Sequence, residues 1–449
     1  MSGLTEQGTG GADPATEVVD LCRELVRIDT SNFGDGQGPG ERAAAEYVAA
    51  VLADAGLAPL IVESAPGRAS VVARWAGRDA SRPALLLHGH LDVVPAQPEE
   101  WSVDPFAGEI RDGCLWGRGT VDMKDMVAMV LTVVRSWTAA GRRPPRDVVL
   151  AFVADEEAGG VLGAQWLVDH HPELFEGVSE AISEVGGFSL DVGGRRWYTV
   201  QTAEKGMAWM RLTATGRVGH GSMASPDNAV VRLAEAVVRL GRHPWPTRWN
   251  PTVREFFATL DASLPPVDGG TTDGGSAPDV ARVLAALGPL ARLVEPTLRD
   301  STTPTMLRAG YKTNVVPGQA SAYVDARFLP GRRDEFLATV DEIIGPHVRR
   351  EQIVTFDGLE APFDTPLVAA VSAAVTAEDP GAATLPYMLS GGTDNKAFAR
   401  LGITGYGFVP LRLPAGLDFA SLFHGVDERV PLDSLAFGVR VLDRLLATC

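Results

Sequence analysis

Residues 84–95 read ALLLHGHLDVVP, and the prediction of the fold starts from this stretch. Its first four residues form an apolar run of the kind found in strands that are buried on both faces of a parallel sheet. His90 and Asp92 follow where that run ends. Functional sites of open α/β sheets lie at the carboxyl ends of the strands. The stretch therefore predicts a buried central strand and one edge of a functional site.

Strand and helix patterns alternate on both sides of this stretch. The predicted elements before residue 206 are helices at about 18–26, 41–57, 124–139 and 162–170, and strands at 70–75, 148–153 and 181–185. This alternation predicts an α/β fold, in which a mainly parallel mixed sheet is flanked by helices on both faces.

The pattern changes near Gly206, where a smaller α+β domain is predicted to begin. Its predicted elements are strands at 208–214 and 321–328 and helices at 228–240 and 334–344. An insertion at about 244–305 is predicted to be irregular apart from one helix at about 279–293.

Helix–strand alternation resumes near Pro366, so the smaller domain is expected to interrupt the larger one. The predicted boundaries are 14–206 and 355–449 for the larger domain and 207–354 for the smaller.

The composition is that of a globular protein that does not bind polyanions. The chain has 449 residues, 45% of them hydrophobic, and its formal charge is 40 − 57 = −17. Nucleic acids and anionic membranes require a basic surface, so neither is expected as a partner. No apolar run approaches the roughly 20 residues of a membrane helix, and the N-terminus lacks the pattern of a secretory signal. A cytoplasmic location is therefore expected.

The spacing of His90 and Asp92 has two interpretations. A carboxylate two residues from a histidine can accept one ring N–H and leave the other nitrogen free for a metal ion. The alternative is a pair of hydrogen-bonded polar residues at the end of a strand.

Two acidic segments are equally ambiguous when each is taken alone. Asp122, in GRGTVDMKD, stands where a helix begins, so it either caps that helix or bridges two metal ions. Glu156 and Glu157, in ADEEAGG, follow the predicted strand at 148–153. They form either a solvated acidic loop or a pair in which one glutamate binds metal and the other moves protons.

Glu184 in SEVGG and His424 in FHGVDE complete a set of two imidazoles and three carboxylates. The set comprises His90, Asp122, Glu157, Glu184 and His424. These ligand types suit zinc, cobalt or manganese. Their separations along the chain are too long to prove that they converge.

The chain resembles the M20 metallopeptidase family, which includes aminoacylase-1, succinyl-diaminopimelate desuccinylase, acetylornithine deacetylase, carboxypeptidase S and carboxypeptidase G2. The resemblance runs from about residue 18 to 446, apart from the insertion. The motifs that carry it, in family order, are GHLDVVP, GRGTVDMKD, DEEAGG, SEVGG, GHGS, TNVVPG, DARFLPG, GGTD and FHGVDE.

This resemblance implies a site with two divalent metal ions. His90 and Glu184 would hold one ion, Glu157 and His424 the other, and Asp122 would bridge them. Zinc is the first expectation, with cobalt and manganese as alternatives.

The resemblance also implies the catalytic roles. Asp92 would orient His90, and Glu156 would be the general base. It would take a proton from the metal-bridging water and pass it to the leaving amine. His220, in GHGS, would stabilise the oxyanion, and in dimeric members this histidine comes from the partner subunit.

Substrate binding is implied for four further residues of the family motifs. Asn314 and Arg327 would hold the substrate carboxylate, which a guanidinium can bind through two parallel hydrogen bonds. Gly391 and Gly392 would line the cleft. The smaller domain would then be a lid, and a homodimer through it stays open.

The implied activity is hydrolysis of an amide bond next to a free carboxylate, in N-acyl-amino acids or small dipeptides. One alternative is a biosynthetic deacylase of the succinyl-diaminopimelate or acetylornithine type. A catalytically silent ligand-binding homologue is less favoured, because every ligand type and the base are present.

Overall fold

The structure, a computed structural model, describes residues 13–34, 36–223, 225–266 and 277–449. Residues 267–276 of the predicted insertion lie outside the described residues.

The described helices are α1 Pro14–Arg27, α2 Arg42–Asp54, α3 Lys124–Ala139, α4 Ala164–His170, α5 Ala229–Gly241, α6 Pro251–Ser263, α7 Val280–Leu287, α8 Ala291–Val294, α9 Arg333–Ile344, α10 Pro366–Glu378, α11 Asn395–Ala399 and α12 Leu432–Thr448.

The described strands are β1 Leu60–Ala65, β2 Arg68–Trp75, β3 Ala84–His90, β4 Glu109–Arg111, β5 Cys114–Trp116, β6 Val148–Val153, β7 Val178–Ser183, β8 Ser189–Val192, β9 Arg195–Glu204, β10 Gly206–Thr215, β11 Gly219–His220, β12 Ser301–Ala309, β13 Val315–Val316, β14 Gln319–Phe328, β15 Val348–Phe356, β16 Leu359–Glu360, β17 Ala383–Leu389, β18 Thr404–Gly407 and β19 Arg429–Pro431.

Contacts divide the chain into two units. The first contains the described residues of Met1–Val200 together with Phe363–Leu385 and Ala397–Cys449. The second contains the described residues of Gln201–Pro362 together with Pro386–Lys396. The domain boundaries inferred from the sequence stay a prediction.

The first unit is built on a mixed sheet in which β1, β2, β6, β3, β7 and β18 are neighbours in that order. The strands β6, β3, β7 and β18 run parallel to one another. At one side of the sheet, β2 is antiparallel to β6, and β1 is antiparallel to β2. Every residue of β3 is buried. The predicted α/β class with a mainly parallel mixed sheet is confirmed.

Helices cover both faces of this sheet because successive strand side chains point to opposite sides. Leu86 belongs to a buried cluster with Leu167 of α4 and Phe175. Leu85 and Leu87 are equally buried and point the other way, toward the face where α3 packs against β3. The central strand is therefore held from both sides, and its carboxyl end is a rigid platform for the site.

The second unit contains an antiparallel sheet with strand order β12, β14, β10 and β15. Alternate residues of β14 are buried, as expected for a sheet with one face on a core. Apolar residues of α5 and α9 complete that core, including Leu233 and Phe336.

The prediction for the insertion was wrong in two places. Residues 251–263 form helix α6, which begins after Asn250, whose side chain accepts a hydrogen bond from the Val253 N–H. The helix predicted over 279–293 is broken after Leu287, where Gly288 takes a positive φ of 56° that residues with a side chain rarely adopt. Prolines and glycines near this segment obscured the helical spacing of its apolar residues.

Candidate metal centre and active site

Asp122 lies between the two predicted histidine ligands in the first unit. Its Oδ1 is 3.0 Å from Nε2 of His90, and its Oδ2 is 3.3 Å from Nε2 of His424. Each oxygen of one carboxylate therefore faces a different imidazole. This is the arrangement of a carboxylate that bridges two cations.

A second carboxylate completes each half of the cluster. Glu184 Oε2 lies 3.3 Å from His90 Nε2, and Glu157 Oε2 lies 3.0 Å from His424 Nε2. The structure thus brings all five predicted ligands together in two groups that share Asp122.

Glu156 lies beside the His90 half of this cluster. One of its oxygens, one of Glu184 and a ring nitrogen of His90 all lie within 4.8 Å of one another. The two successive glutamates occupy a single 3-10 turn over Glu156–Ala158, and Asp155 before it has φ 68°. Glu156 therefore lies near Glu184, whereas Glu157 lies within 4.8 Å of His90 and Asp122 and faces His424.

The protonation of the cluster shows that its donor set fits divalent cations. Hydrogen bonds to Asp122 and Glu157 raise the pKa of His424 to about 10. Burial lowers the pKa of His90, but the charge of Glu184 and the hydrogen bond to Asp122 outweigh it and hold that pKa well above its usual value. In the protein without metal, protons on the imidazoles balance the carboxylates, and a bound cation would replace them.

Glu157 supports the same assignment. Burial raises the pKa of its carboxyl group to about 7. Its Oε1 is buried and has no hydrogen-bond partner among the described residues. A buried carboxylate oxygen without a partner is costly unless a cation or water occupies the space in front of it.

Asp122 is not the cap of α3, so that alternative is wrong. The cap position is Met123, which has no capping oxygen. The backbone around Asp122 is held by Glu428, which accepts hydrogen bonds from the N–H groups of Val121 at 2.7 Å and Asp122 at 3.2 Å. Glu428 also pairs with Arg118 at 2.7 Å.

Neither Glu428 nor Arg118 is among the residues predicted from the sequence. The only available signal was the position of Glu428 inside the FHGVDE motif, four residues after His424.

Asp92 differs from the prediction in one detail. Nδ1 of His90 lies 2.8 Å from the backbone carbonyl oxygen of Asp92 and 3.6 Å from its carboxylate. The ring is therefore oriented by the backbone of Asp92. A hydrogen bond from Nδ1–H to that carbonyl leaves Nε2 as the nitrogen that faces Asp122 and Glu184.

An apolar wall adjoins the cluster beside Asp122 and Glu184. It consists of Val121, Phe188, Val409, Leu411, Phe419 and Phe423. Aromatic contacts hold part of this wall together, with ring centroids 5.4 Å apart for Phe188 and Phe419. An apolar wall lowers the local dielectric constant and strengthens electrostatic interactions at the neighbouring carboxylates.

His220 and Asn314 lie in the second unit, where the structure brings their backbones together. Strands β11 and β13 pair His220 with Val315, and the Gly221 N–H donates to the Asn314 carbonyl at 2.8 Å. The Ser222 N–H donates to Nδ1 of His220 at 3.2 Å. Because Nδ1 accepts, the neutral ring carries its proton on Nε2 and presents a hydrogen-bond donor there.

Arg327 and the two glycines also lie in the second unit. The Arg327 guanidinium binds Asp325 through Nε at 2.7 Å and Nη2 at 3.1 Å. Gly391 and Gly392 follow β17, and a Cβ added to Gly392 would lie 2.2 Å from Nζ of Lys396. A larger residue at position 392 would therefore displace the Lys396 side chain.

In the part of the chain that the structure describes, no helix is long and apolar enough to cross a bilayer.

Comparisons with known proteins agree with this site. A family model described as Peptidase family M20/M25/M40 matches residues 86–448. Aminoacylase-1 from Homo sapiens is 28% identical over 461 residues, which cover 99% of this chain and 97% of that protein. The Xenopus tropicalis protein named N-fatty-acyl-amino acid synthase/hydrolase PM20D1 is 28% identical over 447 residues, covering 96% of this chain and 85% of its own length.

A solved structure has the same fold. The M20 family metallo-carboxypeptidase Sso-CP2 from Sulfolobus solfataricus has a TM-score of 0.74 at 18% identity, covering 96% of this chain and 99% of that chain. Because the family model spans most of the chain, this protein belongs to peptidase family M20/M25/M40 and is a hydrolase of amide or peptide bonds.

Proposed function

We propose that the chain is a di-metal amidohydrolase that cleaves an amide bond next to a free carboxylate, in N-acyl-amino acids or small dipeptides. The observation that carries this proposal is the Asp122 carboxylate, which is shared between two imidazole–carboxylate groups. The names of the relatives, aminoacylase-1 and an N-fatty-acyl-amino acid synthase/hydrolase, support the same substrate class.

Five side chains would hold the metal ions. His90 and Glu184 would bind one, Glu157 and His424 would bind the other, and Asp122 would contact both. Zinc is the first expectation for this mixture of imidazole and carboxylate ligands, and cobalt or manganese would also suit it. Bound divalent ions would polarise the scissile carbonyl and lower the pKa of a water molecule.

Glu156 is the proposed general base. Its carboxylate lies close to His90 and Glu184, so it is within reach of a water molecule at that half of the cluster. It takes a proton from the attacking water and delivers it to the leaving nitrogen, which requires a carboxylate that is not fully engaged as a ligand.

Three residues of the second unit are proposed to recognise the substrate. Arg327 and Asn314 bind its carboxylate, and the Nε2–H of His220 donates to the oxygen of the carbonyl that is attacked. Gly391 and Gly392 line the cleft.

The test is a hydrolysis panel of acetyl-amino acids, dipeptides, acetylornithine and succinyl-diaminopimelate, assayed without metal and with zinc, cobalt or manganese. Metal-dependent release of free amino acids is the expected result. Activity on one biosynthetic substrate alone would favour the biosynthetic deacylase, and a flat panel despite bound metal would favour the silent homologue.

The role of Glu156 is tested by Glu156→Gln, which keeps the shape of the side chain and removes the base. We expect it to bind as much metal as the wild type while kcat falls by roughly 1,000-fold or more. The matched control is Glu99→Gln, at an exposed glutamate of the same unit. An unchanged kcat in Glu156→Gln would exclude this role.

A further inference from the structure

Asn32 lies between two buried carboxylates next to the candidate active site. It is 5% exposed, and its Nδ2 donates to Asp92 Oδ2 at 2.9 Å and to Asp155 Oδ1 at 3.1 Å. Its Oδ1 accepts from Arg68 Nη2 and from the Gly34 N–H, both at 3.0 Å. Both donors and both acceptor positions of the amide are therefore used, and only one orientation of the amide satisfies them.

The same two carboxylates hold the turn that carries the paired glutamates. Asp92 accepts hydrogen bonds from the backbone N–H groups of Glu156 and Glu157, both at 3.1 Å. Asp155 immediately precedes the turn, and its Oδ2 accepts from the Leu162 N–H at 2.8 Å. The backbone of the turn is thus fixed by two carboxylates, which are joined by the amide of Asn32.

A positively charged group lies on one side of this arrangement, where Nδ1 of His90 is 3.6 Å from the Asp92 carboxylate. Asp92 and Asp155 are 0% and 5% exposed. Buried like charges repel one another unless donors lie between them. The guanidinium of Arg68, which could neutralise them, is paired with Glu41 through Nη1. The Asn32 amide is therefore the neutral donor that keeps the two carboxylates in place.

The position of this turn matters because both of its glutamate side chains enter the cluster. Glu156 lies near His90 and Glu184, whereas Glu157 lies near His90 and Asp122 and also faces His424. A rotation of the turn would displace both carboxylates together. Displacements of about 1 Å at reacting groups can cost about 100-fold in rate.

We propose that Asn32 is a positioning residue for catalysis, which sets the location of the Glu156 carboxylate through Asp92 and Asp155. This inference rests on the proposed function, in which Glu156 is the general base. A contribution of Asn32 to folding alone is the competing explanation, and the experiment must separate the two.

The variants are Asn32→Ala, which removes the amide, and Asn32→Asp, which keeps its shape but adds a third carboxylate. The matched control is Thr30→Val in the same buried segment. Thr30 Oγ1 donates to the Leu91 carbonyl at 2.7 Å. Its loss should lower stability without moving the glutamate turn.

The kinetic arm measures kcat, KM and bound metal with the best substrate of the panel. At a metal concentration that saturates both sites, Asn32→Ala should keep a KM within about twofold while kcat falls about 10- to 100-fold. Asn32→Asp should lose more activity than Asn32→Ala, because it replaces two donors by a third negative charge. If Thr30→Val loses as much kcat as Asn32→Ala, or if Asn32→Ala keeps wild-type kcat, the proposal is overturned.

The second arm needs no activity and follows hydrogen exchange of the backbone amides of residues 154–160. In Asn32→Ala the Glu156 and Glu157 amides should exchange at least about tenfold faster than in the wild type and in Thr30→Val. Unchanged exchange would overturn the positioning role. If the wild type is inactive and Asn32→Ala still exchanges faster, the proposed function is rejected. The conclusion that Asn32 holds the glutamate turn through Asp92 and Asp155 would then still stand.

Discussion

Metal binding should release protons, because the predicted histidine ligands are protonated in the protein without metal. Hydrogen bonds to Asp122 and Glu157 raise the pKa of His424 to about 10. The carboxylates of Glu184 and Asp122 hold the pKa of His90 well above its usual value, despite its burial. At pH 7.5 both rings then carry a proton. Only the neutral imidazole can ligate a metal, so one proton leaves from each ring, two in total.

The direction of the pH dependence follows from the raised pKa values. Protons compete with metal wherever the pH lies below the pKa of a ligand. The logarithm of the overall affinity for both ions should therefore rise by about two for each pH unit near neutrality. Glu157, with a pKa of about 7, is about half protonated at pH 7 and adds to the release as the pH falls toward and below that value.

Isothermal titration of zinc into metal-free protein, in buffers of different ionisation enthalpy, measures this proton release. We expect about two protons from the wild type and about one from His424→Gln. The control is His347→Gln, at an exposed histidine of the second unit, which should match the wild type. A release near zero, or equal release from the wild type and His424→Gln, would refute the assignment of these imidazoles as protonated ligands.

Three further outcomes test individual contacts. Glu428→Gln leaves the buried Arg118 without its carboxylate partner. The free energy of unfolding, measured by urea denaturation, should fall by about 3–5 kcal/mol, and a fall below about 1 kcal/mol would contradict this expectation. Burial lowers the pKa of Lys205 to about 8. Between about pH 8 and 10.5 the unfolded chain therefore holds a proton on this lysine that the folded chain has lost. Stability should then rise by up to about 3 kcal/mol between pH 8 and 10.5, a rise that Lys205→Met lacks when the two are compared by urea denaturation. Asp325→Asn weakens the ion pair that orients Arg327. The KM should then rise several-fold for a carboxylate substrate but not for its carboxamide analogue. Equal effects on the two KM values would contradict the proposed carboxylate contact.

The regular elements of the core were predicted closely because their signals are local. Helix α3 over Lys124–Ala139 and strand β6 over Val148–Val153 have the predicted bounds. A helix with an apolar face and a strand buried on both sides each leave a periodicity in a few neighbouring residues. Short strands such as β4 over Glu109–Arg111 were missed, since three residues are too few for a period to appear.

The metal ligands could be named from the motifs, whereas their pairing was implied only by the family resemblance and not by any local pattern. Nothing near His424 indicates which carboxylate it will face, and the structure places it against Asp122 and Glu157. The contact of Asp122 with both histidines depends on how the segment before α3 meets the loop between β18 and β19. Such contacts join residues that are distant along the chain.

Local sequence thus determined the buried strand β3 and the helices that flank the sheet, because burial and periodicity act over a few residues. It also supplied the residue types of a metal site, which stand in short motifs. The tertiary structure decided the supporting hydrogen bonds. It directed the Asp92 carboxylate to the glutamate turn and joined it to Asp155 through Asn32. It also buried Glu428 against Arg118. A buried polar group must find its partner wherever the packed chain brings one, and no local pattern records which partner that is.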